Sequence, residues 1–146
     1  GWMIVPEDHV RQIEKVSQNL FICPPHASQI TALAALDAKE ELDQNVNVYK
    51  KNREILLEEL PKAGFETFSP PDGAFYIYVD ISKYSKDSLN FCKKVLDEVG
   101  VAITPGLDFD QKRGSKMIRF SYARSTEDII EGTKRIKKFM NNYKLN

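Results

Sequence analysis

Three places in this 146-residue sequence carry side chains able to do chemistry. Cys23 precedes His26 by three positions, a spacing that invites an imidazole-activated thiol. The two flank Pro24-Pro25 and no orienting third group is marked, so a structural role is the expectation for both. The pair is also only half a zinc site: His9 is the other histidine, and no second Cys or His cluster completes it. Asp108 and Asp110 lie close together in a polar loop, yet two carboxylates without further oxygen donors make a poor metal site. The third place is Arg119, within Lys116-Met117-Ile118-Arg119-Phe120-Ser121-Tyr122-Ala123. Ile118, Phe120 and Tyr122 alternate for one buried face, while Arg119 stands on the other beside Ser121. One reading is a half-exposed arginine on an edge strand, where it discourages edge pairing. The other is an anion receiver: a guanidinium fork matches a carboxylate with two parallel hydrogen bonds, and a strand holds its base firmly. Position alone leaves both open.

The elements that must hold these residues follow from periodicity. Trp2 to Val5 is an apolar run fit for a short strand. Pro6, Glu7 and Asp8 open a helix whose stripe of Val10, Ile13 and Val16 reaches about Gln18. Leu20 to Pro25 breaks the chain. Residues 27 to 60 read as helix, first alanine- and leucine-rich, then amphipathic through Val46, Tyr49, Arg53, Leu56 and Leu60, with a bend expected at Asp43 to Asn45. Strands are expected at Gly64 to Phe68, Ala74 to Ile81, Val101 to Thr104 and around Arg119. Ser85 is the expected cap of a helix ending at Gly100, and Ser125 that of a last helix using Ile129, Ile136, Phe139, Met140 and Tyr143. Helices packed on a small mixed sheet make an α/β, α+β-like sandwich.

Composition narrows the classes. Twenty-one Lys plus Arg balance twenty-one Asp plus Glu, which gives no support to a nucleic-acid or membrane partner. Lys134-Arg135 and Lys137-Lys138 are expected on a solvated helix face. Two widely spaced cysteines form no disulfide framework, and a cytoplasmic setting is expected. No run reaches transmembrane length, and none of the nucleotide-binding or H-E-x-x-H motifs occurs. The strand-like start at Gly1, with no leader, suggests that something upstream has been removed.

The order of five segments says more: Gly1-Trp2-Met3-Ile4-Val5-Pro6, Ala27-Ser28-Gln29, Pro71-Asp72-Gly73-Ala74-Phe75-Tyr76, Gly100-Val101-Ala102-Ile103-Thr104-Pro105-Gly106 with Phe109, and Arg119-Phe120-Ser121-Tyr122-Ala123. This series resembles the C-terminal part of the class I/II aminotransferases, the aspartate-aminotransferase-like enzymes of pyridoxal phosphate fold type I. The resemblance implies a small domain at 27–146, including a long bridging helix, with 1–26 as the end of a large domain and the connecting segment. It implies pyridoxal phosphate as the cofactor of the complete enzyme, on a Schiff-base lysine that lies upstream and is absent from this chain. It also implies amino-acid and 2-oxo-acid substrates, a homodimer, and a missing large domain as partner. Arg119 would bind the substrate α-carboxylate while the domain closes the cleft, and the isolated chain would be inactive. Tyr122 and Ser121 would pack around the arginine's strand, and the Gly73 turn and Pro105-Gly106 would be structural. Asp110 stands where the family usually has Gly, so a different loop geometry is expected there. The alternative is a stand-alone, non-catalytic carboxylate-binding or dimerisation module.

Overall fold

A computed structural model describes residues 1–143 in two units, Gly1–Leu42 and the part from Asp43 onward. In the first unit Trp2 to Val5 belongs to no strand, because nothing there offers a ladder partner; Trp2 is 83% exposed and Ile4 88%. Helix α1 (Glu7–Leu20) starts after Pro6 with Glu7 and Asp8 in its first turn. Its periodic stripe continues a half-turn further than expected. At the break Ile22 adopts φ +69°, a left-handed conformation uncommon for a β-branched residue. Helix α2 (His26–Ala35) follows. The expected bend at Asp43 to Asn45 is absent; the chain instead breaks at residues 36–38. There the amides of Leu36, Asp37 and Ala38 bond the carbonyls of Leu33, Ala34 and Ala35, so three-residue turns end the helix without Gly or Pro. Helix α3 (Lys39–Lys62) then runs on, with Pro61 tolerated in its last turn.

The second unit holds a small sheet. Strands β1 (Tyr76–Asp80), β2 (Thr104–Pro105) and β3 (Met117–Ser121) lie in the order β1-β3-β2, with both pairings antiparallel. Gly64 to Phe68 does not form a full strand. One bridge joins Phe68 to Val79, and the Asp80 amide donates to Thr67 O at 2.8 Å, so this segment borders β1 without a ladder. The strand expected at Val101 to Thr104 shrinks to two residues, the second a proline with no N–H to give. Helix α4 (Ser88–Val99) is capped by Asp87 rather than Ser85: the Asp87 carboxylate accepts the Asn90 amide at 3.0 Å, while the Ser85 hydroxyl accepts from the Asp87 amide. Gly100, at φ +66°, ends it. Helix α5 (Thr126–Asn142) takes its cap from Ser125 as expected, but the Asp128 carboxylate turns to Arg124 at 3.0 Å.

Ile77 and Val79 face Phe120 and Ile118 across the β1–β3 register, and all four are buried. Leu56 and Leu60 of α3, Phe91 and Val95 of α4, and Ile136 and Phe139 of α5 complete that cluster. Phe65 is its hub, meeting Phe91 and Phe120 edge-on at 6.4 and 5.5 Å. A small antiparallel sheet packed with helices is therefore the architecture, and it sends Tyr76, Tyr78 and Arg119 to the face opposite the core.

Candidate functional site: an unpaired guanidinium on the middle strand

β3 is the middle strand, so the edge-strand reading of Arg119 falls. Its register partners are Tyr78 on one side and Thr104 on the other. Nη2 donates to the Thr104 hydroxyl at 3.2 Å. The rings of Tyr76 and Phe109 lie 5.5 and 4.7 Å from the guanidinium carbon, within cation–π range. Nε is buried and has no acceptor.

The contrast with other arginines makes Arg119 the candidate. Arg11, Arg113, Arg124 and Arg135 each pair with a nearby carboxylate: Glu14, Asp110, Asp128 and Glu131. Among the described residues no carboxylate pairs with Arg119, which is nonetheless half-buried on a rigid strand. A cation taken partly out of water without a counter-ion is a standing demand for an anion. Arg53 on α3 is the other half-buried arginine without a carboxylate partner, but its Nη1 donates to the Pro71 carbonyl at 3.2 Å and so braces a turn.

The frame around Arg119 is fixed from both ends. Asn52, fully buried on α3, donates to the carbonyls of Tyr122 and Arg124 at 3.1 and 2.8 Å and so clamps the exit of β3. The Tyr122 amide donates to Phe75 O at 2.8 Å, and its hydroxyl to Ala74 O at 3.1 Å, tying β3 to the turn before β1. Burial pushes the Tyr122 hydroxyl pKa up, against a smaller opposing effect of Arg53, so it stays a donor. Ser121, by contrast, is exposed and accepts only the Ala123 amide at 3.3 Å among the described contacts.

On the other side, the loop carrying Phe109 is drawn tight. A Cβ on Gly106 would stand 2.6 Å from the Tyr78 hydroxyl and 2.7 Å from Gly114 O, so the two glycines let the backbone cross itself. The Asp110 carboxylate accepts the amides of Lys112 and Arg113 at 2.9 and 3.0 Å and the Arg113 Nε at 2.8 Å. Those bonds, the Arg113 amide first, hold its pKa below the usual carboxylate range.

The remaining candidates dissolve. Asp110 is committed to its own loop, and no group of three potential metal ligands exists among the described residues. Cys23 is exposed, His26 opens α2, and no hydrogen bond joins them. Cys92 is buried, its thiol pushed up to about 12 chiefly by desolvation. A concavity of about 450 Å³ between α3, α5 and residues 100–103 does not include Arg119, and its rim arginines, Arg124 and Arg135, are already paired. The unpaired guanidinium outweighs it as a site.

Sequence reasoning singled out Arg119 as a candidate but not the groups around it. The strand that carries Tyr76 and Tyr78 was expected; that Tyr76, Thr104 and Phe109 meet one guanidinium needed the strand register and the loop's closure. No described helix is long and apolar enough to cross a membrane.

Comparison with known proteins agrees with the segment order. Residues 1–136 match the family Aminotransferase class I and II. The chain is 44% identical over 138 residues to valine–pyruvate aminotransferase of Mycobacterium tuberculosis, covering 93% of this chain and 36% of that protein. It is 38% identical over 143 residues to (5-formylfuran-3-yl)methyl phosphate transaminase of Methanocaldococcus jannaschii, covering 97% and 37%. A crystal structure of an aminotransferase from Mycobacterium tuberculosis superposes with a TM-score of 0.87 at 43% identity, over 97% of this chain and 37% of that one. The chain thus spans little more than a third of the curated relatives it matches.

Proposed function

Since the chain belongs to the class I and II aminotransferase family, whose members work with pyridoxal phosphate, we propose that it supplies the carboxylate-binding small domain of such an enzyme. Arg119 takes the α-carboxylate of the amino-acid substrate and of the 2-oxo acid. Both carry that group next to the reacting carbon, so one receiver serves both directions of transfer. Residues 27–146 act as the small domain with its bridging helix, and 1–26 as the end of the large domain. The complete enzyme is a homodimer and works in the cytoplasm, in keeping with two unpaired cysteines.

The carrying observation is the half-buried, carboxylate-free guanidinium on the middle strand. Its chemistry is positional. Two parallel charge-assisted hydrogen bonds fix the carboxylate, and with it the direction of the bonds at the adjacent carbon. The Tyr76 and Phe109 rings thin the water around the charge and strengthen its attraction for the carboxylate. Closure of the domain over the substrate would remove more.

Pyridoxal phosphate, when bound, supplies the electron sink for transfer. It needs an amine for its aldehyde, and the groups described in contact with the Arg119 guanidinium are the Thr104 hydroxyl and the Tyr76 and Phe109 rings. This cluster offers a cation to an anionic group and no nucleophile to an aldehyde, so we assign it no covalent step and expect the 146-residue chain to be silent in transamination.

Replacing Arg119 with Gln in the enzyme that contains this chain should raise KM for the amino acid on the order of 10²-fold. The KM for an amine of the same side chain but without a carboxylate should stay unchanged. An equal loss for both substrates would refute the carboxylate role, and transamination by the purified chain above the rate of free pyridoxal phosphate would refute its silence.

A further inference from the structure

The two rings on Arg119 are there for different reasons. Tyr76 belongs to β1 and stands on that face of the sheet whatever its neighbour. Phe109 comes from a loop and is 53% exposed, so apolar burial does not account for a phenyl group there. Its ring is nonetheless the closer of the two, 4.7 Å from the guanidinium carbon. The backbone that carries it is braced on both flanks. The amides of Phe109 and Asp110 both donate to Gly106 O, at 2.9 and 3.0 Å, and the Gly114 amide donates to Asp110 O at 2.8 Å. Gly106 and Gly114 cross too closely for a Cβ, and the Asp110 carboxylate holds the next turn from inside. The loop thus spends two glycines and a carboxylate on keeping an exposed ring over an unpaired cation.

We propose that Phe109 is a positioning residue for Arg119: its ring, with that of Tyr76, holds the guanidinium in one orientation for an incoming carboxylate. This rests on the reading of Arg119 as the carboxylate receiver. A free arginine side chain has several rotatable bonds to freeze on binding, and a preformed orientation lowers that cost. The Thr104 hydroxyl engages Nη2 from a third direction, and Nη1 has no described hydrogen-bond partner to compete with a ligand. The ring face, being electron-rich, holds the cation where an aliphatic side chain of similar size would merely cover it.

The test uses the 146-residue chain labelled with ¹⁵N, acetate as the probe, and the Nε–H resonance of Arg119 as the readout. In the wild type that resonance should be displaced by ring currents and should move further as acetate is added. Phe109→Leu should return it toward its free position and raise the acetate concentration for half-saturation about 2- to 5-fold, the range expected from losing an exposed cation–π contact. Phe109→Trp should restore both. Because Phe109 is largely exposed, the amides of Ile77 and Ile118 should be unmoved in either variant, which separates positioning from misfolding. Arg119→Gln should abolish the acetate response of neighbouring amides. If Phe109→Leu leaves the resonance and the titration unchanged while Arg119→Gln abolishes the response, the role of Phe109 is overturned and that of Arg119 stands. If the acetate response survives Arg119→Gln, the carboxylate reading itself is overturned.

Discussion

From Gly1 to Leu42 the chain forms two helices and the start of a third, with no buried residue; from Asp43 onward helices enclose a sheet and a continuous core. Apolar residues are not what separates the regions. Leu20, Phe21, Ile22, Leu33 and Leu36 are each more than half exposed, whereas Leu56, Leu60, Phe65 and Ile77 are all buried. The difference is a second layer. In the later region β1 and β3 present a flat apolar face, and three helices have somewhere to put their stripes. In the earlier region α1 is amphipathic and α2 apolar, with no sheet face within that region to cover, and helices of 14 and 10 residues gain little stability from local bonds alone. Periodicity makes a helix; only a partner surface makes it stable.

The largest effect that could break this comparison is on stability. Phe65→Ala removes the hub of the core and should cost about 3–5 kcal/mol in urea unfolding, the usual range for a buried phenylalanine. Leu33→Ala, at a residue 64% exposed on α2, should change stability by less than about 0.5 kcal/mol. A Leu33→Ala loss as large as that of Phe65→Ala would mean that the first region shares the core's cooperativity, and the contrast would collapse.

The same contrast explains what could be read from the sequence. Where a segment carries its own stop and start chemistry, the reading held: Ser125 before α5, Gly100 after α4, and the alternation that became β1 and β3. Where the outcome depended on a partner elsewhere, it did not. Trp2 to Val5 has strand composition but no ladder partner, and the residues before Phe68 only graze β1. The break at residues 36–38 carries no Gly or Pro, so its turn-closing carbonyl bonds had no local signal. Arg119 stood out in the sequence because a cation on an apolar strand is anomalous in one dimension, although position alone left the edge-strand and anion-receiver readings both open. Its place on the middle strand and its contacts with Thr104 and Phe109 are facts of register and loop closure, which composition does not encode.

A second, smaller effect sharpens the comparison through the two thiols, one in each region. Cys23 is exposed in the break after α1; Cys92 lies on α4 within the core. Burial pushes the Cys92 thiol up to about 12, with Asp108 adding to it. At pH 8 its thiolate fraction is then about one part in 10⁴, before the further obstacle of access. Brief iodoacetamide treatment of the native chain should add one group, and peptide mass spectrometry should find it on Cys23, at a rate at least about 10²-fold above Cys92. Urea should bring the second group on. Comparable labelling of both thiols without denaturant would show the core open.

The smallest effect concerns charge, and it asks whether ion pairs follow the same division. On the core side Glu59 of α3 bonds Lys137 of α5 and Lys62 one turn on; on the other side Arg11 and Glu14 pair along α1 alone. The hydrogen bond from Lys137, then that from Lys62, holds the Glu59 pKa below its ordinary value, against a smaller desolvation effect. A lowered folded-state pKa means that the stabilisation is fully present above the unfolded value of about 4.3 and is lost as pH falls through the lowered folded value. With its side chain 23% exposed, the Glu59 pair should be worth no more than about 1 kcal/mol. Urea unfolding of Glu59→Gln should therefore trail the wild type by about 0.5–1 kcal/mol at pH 7, and the two should converge once pH has fallen below the lowered folded value. Glu14→Gln should show no comparable deficit at pH 7, because its pair joins two residues one turn apart on an exposed helix. Equal behaviour of the two variants would mean that the α3–α5 link is an ordinary surface pair, and that the division between the regions is made by apolar contacts alone.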